Sequence, residues 1–253
     1  MSWLSRLFAS SSPPASYPPL EEIPIFVVNL LRARRRRLAM CLRLLREGLY
    51  AQATFVPAVD AREEKALVSQ RRGAHSFPRH PVSDGEVACF MSHLRALRMF
   101  LATGRPYGLI LEDDSKLCLD FAEHYQRSLP SVPGLNLLML THYLASKEAW
   151  AEDGRDRRWL RITGQTYNAG AYLIKREYAQ ECVQRYDRPW DQIDHPQQRF
   201  TSEHITIYSG GLCLKQPLVV AEAEDSFLRG SGELEWHKKY FHDVVSSSEL
   251  LYK

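Results

Sequence analysis

The sequence predicts an α/β protein built on a central, mostly parallel sheet. Short, nearly continuous apolar runs, IPIFVVNL (23–30) and LNLLMLTH (135–142), suit strands buried on both faces. Between the first such run and a second strand-like stretch, ATFVPAVDA (53–61), leucines recur at helical spacing, giving β-α-β order. A third run, YGLILEDD (107–114), is apolar and then turns acidic, as a central strand does where it leaves the sheet.

Taken in order, the first strand ends at Asn29, and Leu31, Leu38, Leu42, Leu45 and Leu49 mark a helix that Gly48 stops. Residues 62–82 are polar, basic and without period, which predicts a loop holding at most a helical turn. Ser83-Asp84-Gly85-Glu86 has the form of a capping box, and Val87, Phe90, Leu94, Leu97 and Leu101 form one face of the helix it opens. Gly104 and Pro106 end that helix. After the acidic strand come a helix near 120–129, a strand over 135–142, a strand over 166–175 with a helix to Tyr186, and one or two strands within 204–220.

The 253 residues, 45% hydrophobic and 25% charged, allow one large domain with a sizeable core. Lys+Arg 33 against Asp+Glu 30 argues against a bulk nucleic-acid binder. Five widely spaced cysteines without a CxxC argue against a disulfide framework or structural zinc site, and favour a reducing compartment. No apolar run reaches the ~18 residues needed to span a bilayer. The leader carries Trp3, Leu4, Leu7 and Phe8 before a Ser/Pro stretch, which reads as a disordered tail or a weak membrane contact.

Four groups of residues bear chemistry. Glu112-Asp113-Asp114 sits at a strand's C-terminal edge, where alternation points Glu112 and Asp114 the same way if the strand continues; such a pair suits a hard divalent ion that clamps a diphosphate. An inert acidic loop is the equal alternative. Asn29 is followed by Arg32, Arg34, Arg35, Arg36 and Arg37 at the same edge. One or two of these arginines can hold phosphate, the rest facing solvent or anionic lipid. Ser92-His93 lies inside the capped helix, where a histidine is more often structural than chemical. In Arg188-Pro189-Trp190-Asp191-Gln192-Ile193-Asp194 an aromatic flanks an acid, a pairing that holds sugars but also occurs in exposed acidic loops.

In order along the chain, VVNLLRARRRR (27–37), FVPAVDA (55–61), GEVACFMSHLRAL (85–97), LILEDD (109–114), TYNAGAYLIKREYA (166–179), PWDQI (189–193) and, more weakly, QPLVV (216–220) resemble glycosyltransferase family 25, the family of lipopolysaccharide and lipooligosaccharide galactosyltransferases. The resemblance implies a GT-A-type, Rossmann-like fold that binds a UDP-sugar, with Glu112 and Asp114 on a divalent Mn²⁺ or Mg²⁺. It implies donor binding by Asn29, Arg32, Arg36, Asp60, Ser92, His93 and Asp113. It further implies inversion at the anomeric carbon, with Asp191 as the base. Leu31 stands where many members are polar, and the extra arginines depart from the pattern.

The expected function is therefore transfer of a hexose, galactose from UDP-galactose, onto a lipid-linked oligosaccharide core. The enzyme is expected in the cytoplasm, peripheral on an anionic membrane, with no nucleic-acid partner. The alternatives are a catalytically silent GT-A-like module that binds glycans or proteins, and a metal-dependent phosphotransferase, which lacks a phosphate-loop glycine motif. The expected organisation is a flexible or membrane-contacting leader (1–22), a glycosyltransferase domain (23–225) and a C-terminal extension (226–253).

Overall fold

A computed structural model of the chain describes residues 17–72, 83–128, 136–141, 143–144, 150–152, 159–162, 166–167, 170–186, 212–214 and 219–221. Its first part runs β1 (Ile25–Asn29), α1 (Arg34–Arg46), β2 (Ala53–Pro57), α2 (Lys65–Arg72), α3 (Asp84–Ala102), β3 (Tyr107–Glu112), β4 (Ser115–Leu117) and α4 (Phe121–Ser128). The second part runs β5 (Leu137–Met139), β6 (Tyr143–Leu144), β7 (Trp150–Glu152), β8 (Trp159–Ile162), β9 (Thr166–Tyr167), β10 (Ala171–Lys175), α5 (Arg176–Tyr186), β11 (Leu212–Leu214) and β12 (Val219–Ala221).

Eight strands form one sheet in the order β2-β1-β3-β10-β5-β11-β8-β7. β1 pairs in parallel with β2 and β3, and β5 with β11, while β10 and β8 run against their neighbours. The sheet is thus mostly parallel, as predicted. β12 with β4 and β6 with β9 form small antiparallel ribbons.

Alternate side chains of the central strands feed two cores. Ile25, Val27, Leu109 and Leu111 pack against Met40 and Leu44 of α1 and Phe121 and Tyr125 of α4. Phe26, Val28, Ile110 and Tyr172 pack on the other face against Phe90, Leu94, Leu97 and Phe100 of α3, with Tyr178 and Ala179 of α5. The result is a helix–sheet–helix sandwich in which each fully buried large side chain contributes about 1.5–3 kcal/mol. Gly108 is required where α3 crosses β3: a Cβ there would lie 2.6 Å from the Phe100 ring.

The helix ends follow local rules. Ser83 Oγ accepts from the Glu86 amide at 3.2 Å and Glu86 Oε2 accepts from the Ser83 amide at 2.7 Å, the capping box read from sequence. α1 stops at Gly48, whose φ of 71° lets the Leu49 amide donate to Leu44 O at 2.8 Å, with Leu44 and Leu49 both buried beneath the turn.

Three differences from expectation have physical causes. Residues 65–72, within the stretch predicted to be a loop, form α2, because Val68 finds a small core with Val59, Val87 and Ala88. The ordered chain begins before Ile23: Leu20 is fully buried and Tyr17 packs on Tyr107, ring centroids 5.3 Å apart. In α1 the leucine period marks the helix but not its buried face. Leu38, Leu42 and Leu45 are 62%, 59% and 56% exposed, whereas Met40 and Leu44 face the sheet. Residues 73–82, the PWDQI segment and the C-terminal stretch 226–253 lie outside the described residues.

Candidate functional site

The site forms where β1 and β3 end side by side. Their parallel register puts Val28 opposite Glu112, and the Asp113 amide donates to Val28 O at 3.1 Å, so the chain turns out of the sheet beside Asn29. The strand stops at Glu112, and Asp113-Asp114 make the turn into β4. All three carboxylates nevertheless line one open cleft, with Val59 and Arg36 also on its wall.

Asp113 is held from two sides. Asn29 Nδ2 donates to its Oδ2 at 2.6 Å, and Arg36 Nη2 approaches its Oδ1 at 2.7 Å. Arg36 lies in the first turn of α1 on the face turned to the sheet, and its Nη1 also donates to Asp114 Oδ2 at 3.4 Å. The other Asp114 oxygen, Oδ1, is buried and has no hydrogen-bond partner among the described residues; the same holds for Asn29 Oδ1. A buried acceptor left open costs about 1–3 kcal/mol, so these atoms mark a place for a donor or cation.

The neighbouring carboxylate, Glu112, turns toward α3. Its Oε1 lies 3.0 Å from His93 Nε2 and 3.7 Å from Cys89 Sγ. His93 is fully buried, with Nδ1 3.0 Å from the Tyr172 hydroxyl. Its influence on a ligand therefore passes through Glu112. Asp60 pairs with Arg32 and accepts from the Arg62 amide at 3.0 Å, which ties the loop after β2 to the loop after β1. Ser92 Oγ accepts from the Val59 amide at 2.8 Å and donates to Ala88 O at 2.6 Å, so its hydroxyl fixes the cleft wall.

Burial and neighbours set the charges. Burial, then the negative charge of Glu112, push Asp114 up to about 7 against the pull of Arg36. Burial also raises Asp113, opposed by Arg36 and the Asn29 hydrogen bond. For Glu112 burial acts upward, but His93, Cys89 and Arg36 together outweigh it and hold the carboxyl below its usual range. Asp60 is likewise lowered: burial acts upward, and the Arg62 amide and Arg32 overcome it.

Of the residues singled out in the sequence, Asn29, Arg36, Asp113 and Asp114 meet directly, Glu112 lines the same cleft, Arg32 with Asp60 and Ser92 with Val59 frame them, and His93 stands behind Glu112. Asp191 lies outside the described residues. Sequence reasoning passed over Cys89 and Tyr172. Cys89 had a signal, its four-residue spacing from His93 on one helix; Tyr172 had none, being 79 residues from its partner.

The family described as "Glycosyltransferase family 25 (LPS biosynthesis protein)" matches residues 22–195. Among curated proteins, the chain is 27% identical over 183 residues to "Inactive glycosyltransferase 25 family member 3" of Mus musculus, covering 68% of this chain and 31% of that protein. It is 27% identical over 133 residues to "Procollagen galactosyltransferase 1" of Danio rerio, covering 51% of this chain and 22% of that protein. The chain thus spans a third or less of the length of these relatives. Among solved structures it aligns to mannose-1-phosphate geranyltransferase from Thermus thermophilus with a TM-score of 0.36 and 11% identity, over 73% of this chain and 67% of that one.

Proposed function

The chain belongs to glycosyltransferase family 25, and from that premise we propose that it is an inverting hexosyltransferase that moves galactose from UDP-galactose onto a lipopolysaccharide or lipooligosaccharide core. The observation that carries the reading is the buried cluster of Arg36 with Asp113 and Asp114 beside Asn29, at the carboxyl edge of two parallel strands. Ligands of open α/β sheets bind at that edge.

The divalent cation that the family implies fits the residues present. Asp114 Oδ1 is buried without a partner among the described residues, and Glu112 opens on the same cleft. Those two carboxylates would hold it, and when bound it supplies positive charge against the diphosphate leaving group. Arg36 and Arg32 add fixed positive charge at the cleft for phosphate oxygens. Asn29 and Arg36 keep Asp113 in place, and His93 orients Glu112. In the transfer, the acceptor hydroxyl oxygen bonds to the anomeric carbon while the bond from that carbon to the diphosphate oxygen breaks. The hydroxyl proton goes to Asp191, and UDP leaves with the bonding pair. General-base help of this kind is typically ~10²–10⁴-fold.

A membrane-borne acceptor is supported by the outer face of α1, where Leu38, Leu42 and Leu45 are exposed in line, with Leu31 before them and Arg34 and Arg35 exposed alongside. Apolar stripes flanked by arginine seat at anionic lipid interfaces. Among the described residues no helix is long and apolar enough to cross a membrane, and we place the enzyme on the cytoplasmic face as a peripheral protein.

The mouse relative, named as inactive, favours a second reading, a catalytically silent module that binds glycans or proteins. A screen of UDP-sugars against the purified chain, following UDP release with Mn²⁺ and then with chelator, separates the two. Metal-dependent UDP release from UDP-galactose supports the transferase. Binding of UDP-sugars without release from any of them, with or without acceptor, supports the silent module.

A further inference from the structure

Glu112 stands between two chemically different neighbourhoods. Toward the turn it meets the oxygen-rich edge of Asp113 and Asp114; toward α3 it meets sulfur and nitrogen. Cys89 and His93 are four residues apart, so they share a helix face. One donor atom from each of Cys89, His93 and Glu112 lies within 4.8 Å of the other two. We propose that these three residues form a site for a borderline-soft divalent transition metal of the zinc or cobalt class, separate in chemistry from the edge that suits Mg²⁺ or Mn²⁺.

The donor set argues first. A thiolate, an imidazole and one carboxylate favour zinc or cobalt over the hard ions, and three protein ligands leave a fourth position open, here toward the cleft that Cys89 and Glu112 line. The outer partner argues second. Metal-bound histidines give their remaining ring nitrogen a hydrogen-bonding partner, and the Tyr172 hydroxyl stands 3.0 Å from Nδ1. The Tyr172 ring also stacks on His93 with centroids 5.7 Å apart, which fixes the rotation that aims Nε2 at Glu112.

On binding, the metal takes the thiolate, the thiol proton leaves to solvent, and the bond between His93 and Glu112 opens. The imidazole shifts its proton to Nδ1, where the Tyr172 oxygen accepts it. No redox change is involved. A consequence rests on the proposed transferase reading: zinc in this site ties up Glu112 and so inhibits transfer.

The test is Co²⁺ titration of the full chain followed by absorption. The site predicts a thiolate-to-cobalt charge-transfer band with the intense visible bands of a four-coordinate ion, both displaced by Zn²⁺. Cys89→Ser removes the charge-transfer band. Tyr172→Phe, which deletes only the hydroxyl behind His93, keeps the band but weakens Co²⁺ binding by about 10–100-fold. Asp114→Asn leaves the band in place, which separates this site from the hard-ion edge. Thermal unfolding of each variant shows that it is folded. No charge-transfer band in the wild-type chain, or a band that survives Cys89→Ser, overturns the proposal. The optical result stands whether or not the chain transfers sugar, so failure of the transferase reading is seen separately as absent UDP release.

Discussion

Asp114→Asn should make the metal-free protein more stable while abolishing transfer. The Asp114 side chain is 8% exposed, and burial with the charge of Glu112 raises its carboxyl from 3.8 to about 7. In the unfolded chain it ionises near the lower value. Between the two the folded state holds a proton that the unfolded state has lost, so stability falls as pH rises through that window and levels off above it. At about 1.4 kcal/mol per pH unit the interval costs the wild-type fold about 4 kcal/mol above pH ~7. Asparagine keeps the shape and never ionises, and Arg36 retains Asp113 at 2.7 Å. For a chain of this size the gain corresponds to a Tm increase on the order of 10 °C. Thermal unfolding of both proteins in chelator, from about pH 4 to about pH 8, should show curves that coincide at the acid end and diverge toward neutrality. An Asp114→Asn protein no more stable than wild type at the upper pH, or equally stabilised at both ends, would refute the reasoning. So would full transferase activity in the variant.

Three further expectations follow from other parts of the molecule. Asp191→Asn should lower kcat by ~10²–10⁴-fold with UDP-sugar affinity by calorimetry nearly unchanged, and Asp194→Asn should be mild; the reverse ranking moves the base by three residues. Replacing Leu38 and Leu42 together by glutamate should leave the melting temperature within a few degrees, because both are exposed, but reduce sedimentation with anionic liposomes; unchanged liposome binding at low and high salt removes lipid contact from that face. Gly108→Ala puts a methyl 2.6 Å from the Phe100 ring and should cost about 1–3 kcal/mol in urea unfolding, with a neutral result showing that the α3–β3 contact has slack.

Local physics made much of this protein legible before any coordinates. The capping box at Ser83, the glycine stop at Gly48 and the acidic end of β3 each act within a few residues, so their signals survive in the linear chain. The ordered motifs that resemble the family carried the parallel sheet and the carboxylate edge with them. What the sequence could not give was the phase of burial and the partners of each charge. Most leucines of α1 fall on one stripe, yet the sheet decides that Met40 and Leu44 go inside while Leu38, Leu42 and Leu45 stay out. That rotation also brings Arg36, rather than the neighbouring arginines, to Asp113 and Asp114. The Cys89–His93–Glu112 cluster joins α3 to β3, and Tyr172 of β10 completes it from 79 residues away. Contacts of that kind exist only once the sheet order β1-β3-β10 is formed, because strand pairing, not sequence spacing, sets which side chains face one another.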